Sequence, residues 1–63
     1  MKVTVITPFR HGLRVFEHGE IGEVVTVEHP LTFQGKPIFD YYVKFPGHQP
    51  VGVHKSEVKE ITT

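Results

Sequence analysis

Cysteine and tryptophan are both absent from this 63-residue chain, and there is no net charge, seven Lys/Arg standing against seven Asp/Glu. Without cysteine the chain can build neither the disulfides that staple small secreted domains nor a thiolate metal site or redox dithiol. A reducing compartment such as the cytoplasm is the expectation. Without net positive charge it lacks the field that drives sequence-independent binding to nucleic acid, so a nucleic-acid-binding small barrel ranks behind other readings. Long apolar runs are missing too. The N-terminal stretch Val3-Thr4-Val5-Ile6 is shorter than a signal-peptide core and far shorter than a membrane span, which predicts a soluble protein. No stretch of ten or more residues carries apolar side chains at i, i+3, i+4 and i+7, and Pro or Gly recurs every dozen residues or less.

What is present is β-pattern. A chain this short makes one domain, 1–63, and buries only about 60% of the surface its unfolded form exposes. Alternation predicts a first strand over 2–7, with Val3 and Val5 on one face and Thr4 and Ile6 on the other, stopped by Pro8. A long loop over 9–19 follows, with Leu13, Val15 and Phe16 as apolar anchors. The second strand is expected over 20–29, with Gly22 at a bend or a close backbone approach. Turn chemistry at Gly35 and Pro37 precedes a third strand over 38–45, which places Phe39, Tyr41, Val43 and Phe45 inward and Asp40, Tyr42 and Lys44 outward. A tight connection over 46–50 leads to a fourth strand over 51–55. Ser56 then caps a single 3₁₀ turn before the closing strand over 59–62. Five short strands, a long first loop and one turn before the last strand predict an all-β fold, a small five-stranded SH3-like barrel.

Chemistry is sparse. Five histidines invite a metal reading, with His11 and His18, or His48 and His54, as imidazole pairs, but neither spacing is a known ligand pattern and no cysteine completes it. No metal, catalytic or cofactor-binding residue is therefore assigned. Lys2, Arg10 and Arg14 precede Glu17, Glu20, Glu23 and Glu28, a partial separation of sign along the chain. The six glutamates fall in loops or on outward positions, which argues against a converging acid–base pair. Aromatic side chains in loops or facing outward are the better lead, because such rings dominate interface energetics. Phe33, Gln34, Lys36, Tyr42 and His54 are the candidate partner-binding residues.

The segments Gly19-Glu20-Ile21-Gly22-Glu23-Val24-Val25, Gln34-Gly35-Lys36-Pro37-Ile38, Val43-Lys44-Phe45 and Ser56-Glu57-Val58-Lys59-Glu60-Ile61 occur in an order and spacing that resembles the variable subunit of ferredoxin–thioredoxin reductase. That resemblance covers about two-thirds of the chain. It implies an SH3-like barrel with no redox centre of its own, which packs on a cysteine-rich catalytic subunit holding an iron–sulfur cluster and a reactive disulfide. It also implies the plastid stroma if the source is a photosynthetic eukaryote. The first loop matches the family less well, and Pro46-Gly47-His48-Gln49-Pro50 stands where the family has a more basic connection. The ferredoxin-docking subunit of photosystem I has a similar barrel. A second resemblance, through Tyr42-Val43, Pro50-Val51-Gly52-Val53-His54 and Val58-Lys59-Glu60-Ile61, is to type II dihydrofolate reductase, a homo-oligomeric SH3-like barrel with a small-molecule site at its symmetry axis. Here Val51-Gly52-Val53-His54 lacks the glutamine that binds both ligands in that family, so self-association is the part of that resemblance that carries over.

Overall fold

A computed structural model describes residues 1–61. Among the described residues nine short strands form: β1 (Lys2–Val5), β2 (Phe9–His11), β3 (Arg14–Phe16), β4 (Ile21–Val25), β5 (Thr32–Phe33), β6 (Lys36–Pro37), β7 (Tyr41–Lys44), β8 (Val51–Val53) and β9 (Val58–Ile61). Five make one antiparallel sheet in the order β8-β7-β4-β1-β9, while β2-β3 and β5-β6 are separate hairpins. The sheet is strongly curled into a half-barrel, an architecture consistent with an SH3-like barrel, and no helix occurs among the described residues.

Curling wraps one face of the sheet around a core of Val3, Val5, Phe16, Val43, Phe45, Val51, Val53 and Val58. The alternation explains the valines: Val3 and Val5 on β1, and Val51 and Val53 on β8, share the inward parity. Register settles the rest, since Val5 lies opposite Val58 and Val43 opposite Val51. Gly22 lies opposite Val3 on the same inward face. A Cβ there would overlap Val43 Cγ1 and come within 3.1 Å of Phe45 Cδ1 and of the Lys44 carbonyl. The glycine serves close approach, and its φ is not positive.

Several elements differ from the sequence expectation. The second strand stops at Val25 because the chain leaves the sheet there to make the β5-β6 hairpin. The third begins only at Tyr41, and Phe39 is not inward. Bends at Ile38 and Asp40 turn the chain, the Asp40 N–H donating to the Val53 carbonyl at 3.0 Å and Asp40 Oδ2 accepting from Lys55 N–H at 2.8 Å. Period-two counting fails across such a bend. The fourth strand ends at Val53, and the closing strand spans Val58–Ile61, with Thr62 outside the described residues. Before that strand comes one hydrogen-bonded turn, Glu57 N–H to the His54 carbonyl at 2.9 Å. Its side-chain cap is Glu57, whose Oε1 accepts from His54 N–H at 2.9 Å, in place of the expected Ser56.

The long first loop is a hairpin whose strands close on the core. Phe16 is fully buried, its ring 4.4 Å from Phe45 and 5.1 Å from Phe9 between centroids. Arg14 Cζ lies 4.4 Å above the same ring, and its Nη2 donates to Glu20 Oε1 at 2.8 Å. Glu20 Oε2 also accepts from Glu17 N–H at 2.7 Å. Two of the charges separated along the chain are thus brought beside opposite ones in space. Arg14 pairs with Glu20, and Lys2, Glu23 and Lys44 stand side by side across β1, β4 and β7.

The hydrogen bond from Glu17 N–H, together with the Arg14 guanidinium, holds the Glu20 carboxyl below its ordinary 4.5 against a partial opposing effect of desolvation. A lowered folded value means that this stabilisation is complete above the ordinary glutamate range and is lost as pH falls through the folded value. Glu20→Gln is expected to lower Tm at pH 7, and the gap to the parent should close as pH falls below 4.5. Parallel Tm–pH curves for the two proteins would show that Glu20 contributes nothing to the acid response.

Candidate functional site

The candidate site grows from the 15-residue stretch 26–40, which leaves β4, makes the β5-β6 hairpin and returns to β7. The hairpin turn is two residues long, with φ of 53° at Gln34 and 77° at Gly35. Positive φ at both central positions is the geometry that matches a right-handed hairpin twist. Phe33 and Lys36 therefore sit directly opposite each other at its end, and both are exposed. Exposure of Phe33 is 70%, and Leu31 and Ile38, at the hairpin base, are 58% and 42% exposed. Three large apolar side chains within eight residues thus face solvent.

The stretch is fastened to the outer face of the sheet at two points. The Leu31 N–H donates to the Tyr42 hydroxyl at 2.7 Å, and the Phe39 ring covers Gly52 so closely that any Cβ at Gly52 would overlap it. Phe39 also meets Tyr42 edge-on at 5.9 Å and His54 at 5.4 Å between centroids. Beside this cluster lies a cleft of about 250 Å³ whose lining includes Val25, Val27, Pro30, Pro37 and Tyr42. Its lining is apolar apart from the hydroxyls of Thr26, Tyr41 and Tyr42 and the Asp40 carboxylate.

The five sequence candidates fall into two groups. Phe33, Gln34 and Lys36 stand together on the hairpin. Tyr42 and His54 stand together around Phe39, on the outer face of β7 and just beyond β8. Tyr42 is outward as expected, but half-buried and committed to the hairpin base through its hydroxyl. Phe39, Leu31 and Ile38 were missed as members of the surface. The signal for Phe39 was Gly52: a glycine between two inward valines leaves an empty outward position on β8, which a neighbouring ring can fill.

Gly52 and Phe39 should therefore behave as a coupled pair. Gly52→Val should destabilise by about 1–3 kcal/mol by displacing Phe39, whereas in a Phe39→Ala background the same change should be nearly neutral, since valine favours a strand. Urea denaturation of the four proteins checks it. Additive effects would mean that the ring does not occupy that place.

No family model, no curated protein and no solved structure matches this chain.

Proposed function

We propose that this chain is a non-catalytic protein-binding module that docks on a larger protein through the β5-β6 hairpin and the adjoining cleft. The observation that carries the reading is the exposed trio Leu31, Phe33 and Ile38 beside an apolar cleft, on a domain whose whole surface is 4755 Å². Exposed apolar groups concentrated in one place mark interaction sites, and single scattered ones do not. Tyr42 and Phe39 hold the base of the hairpin, so a partner meets a surface already in place and less ordering entropy opposes binding. Lys36 beside Phe33 supplies a charge that fixes orientation at the rim.

The partner class comes from the sequence resemblance: a cysteine-rich catalytic chain carrying an iron–sulfur cluster, to which a cysteine-free barrel adds surface and no redox group. This chain then holds no cofactor. The test is titration of such a catalytic subunit, kept anaerobic, with the chain and with Phe33→Ser. Phe33 is exposed, so the substitution should leave Tm within about 1 °C. Affinity should fall tenfold or more if the ring is an anchor. Absence of any complex would remove the redox partner, and equal affinity of the variant would remove the hairpin as the docking surface. Sedimentation of the chain alone distinguishes the self-association reading, which requires a concentration-dependent dimer or tetramer that Phe33→Ser dissolves.

A further inference from the structure

The fold brings together two histidines that no sequence spacing pairs. His11 ends β2, and His48 lies in the connection between β7 and β8, yet their rings stand 5.5 Å apart between centroids with planes at 84°. We propose that His11 and His48 form a two-imidazole site for a borderline transition-metal ion, with Zn²⁺ as the type case.

Three features support it. Two imidazoles on one tetrahedral Zn²⁺, with metal–nitrogen distances of about 2.0–2.1 Å, hold their ring centroids roughly 5 Å apart. The observed separation is close to that. Next, His48 Nδ1 lies 2.8 Å from the Gln49 carbonyl oxygen. A carbonyl can only accept, so Nδ1 carries the proton and the neutral ring keeps its lone pair on Nε2. A backbone carbonyl on the far nitrogen is the usual support of a metal-ligating histidine, fixing both tautomer and ring orientation. The His48 ring is further set by its edge contact with Phe16, at 5.3 Å between centroids. Finally, His11 is exposed and can turn its ring toward the metal, which leaves the other coordination positions to water. Among the described residues no group of three or more His, Cys, Asp or Glu gathers, so the protein supplies two ligands and the affinity is modest.

Such a metal would fasten the β2-β3 hairpin to the distant 46–50 connection and so stabilise the folded state by mass action. The probe is Zn²⁺ alone, added to the whole chain and followed by thermal unfolding in far-UV circular dichroism. Excess Zn²⁺ should raise Tm by about 4 °C or more, reversibly with EDTA. His11→Asn, at an exposed position, should keep the metal-free Tm and lose the rise, while His18→Asn and His29→Asn keep it. In ¹⁵N spectra of the histidine rings the same titration should move Nε2 of His48 and a ring nitrogen of His11. No rise in Tm, an equal rise in His11→Asn, or resonance changes centred on His18, His29 or His54 would each overturn the assignment.

Discussion

Gly22→Val is expected to destabilise the domain by about 3 kcal/mol, at the upper end of what overpacking costs. The inward face at Gly22 is already filled. Val43 Cγ1 occupies the space a Cβ would need, and Phe45 Cδ1 and the Lys44 carbonyl close it from either side at 3.1 Å. Val43 and Phe45 are fully buried, and Gly22 lies directly opposite Val3, so neither side has slack. Relief would require β4 to move away from β7, which breaks the pairing of Glu23, Val24 and Val25 with Lys44, Val43 and Tyr42. A domain of this length has a total stability of roughly 3–9 kcal/mol, so the variant should lose between about a third and all of it. Gly22→Ala adds only the Cβ and should cost less. Urea midpoints of parent, alanine and valine forms should fall in that order, and a valine form as stable as the parent would mean that β4 does not pass this close to β7.

Where the sequence could be read, it was because a single physical rule acted without competition. Inward valines at Val3, Val5, Val51 and Val53 follow from period two alone, and all four are buried. Gly22 was legible because a glycine inside an otherwise β-branched run gives up strand propensity, a loss that a close approach of neighbouring chain offsets. Legibility failed at Phe39, which has the parity of Tyr41, Val43 and Phe45. Two bends and the Asp40 hydrogen bonds reset that parity before β7 begins, and they depend on residues 53 and 55, distant in sequence. The candidate site was half legible for the same reason. Gly35 and Pro37 marked the segment that holds Phe33 and Lys36 as a turn, but neither its β5-β6 pairing nor the ring that anchors it to the sheet could be read.

Charge shows the same limit in another form. Read along the chain, three cations precede four glutamates. In the fold, Glu23 on β4 lies between Lys2 on β1 and Lys44 on β7, and Glu20 pairs with Arg14. Cross-strand pairs of opposite sign each contribute a few tenths of a kcal/mol and leave no extended field of one sign. That is part of why apolar contact at the hairpin, and not charge, carries the docking reading.

The largest loss of stability is expected at the other end of the core, from Phe16→Ala. Phe16 belongs to a hairpin that is not part of the main sheet, and its ring, with that of Phe9, commits that hairpin to the core. It is fully buried and packs against Phe45 and Phe9, with His48 at one edge and Arg14 above. Truncation removes most of a buried aromatic side chain, which typically costs about 3–5 kcal/mol. Collapse of β2-β3 into the space is opposed by Arg14, which Glu20 holds at 2.8 Å. The cost should therefore lie toward the upper end of that range and exceed that of Gly22→Val. Two outcomes separate a lost core from a lost hairpin. If the whole domain depends on Phe16, circular dichroism and amide hydrogen exchange should report one cooperative loss, with β1 and β7 amides exposed together with those of β2 and β3. Protection retained in β1, β4 and β7 of the variant, with exchange confined to residues 9–16, would show instead that the five-stranded sheet stands without its first hairpin.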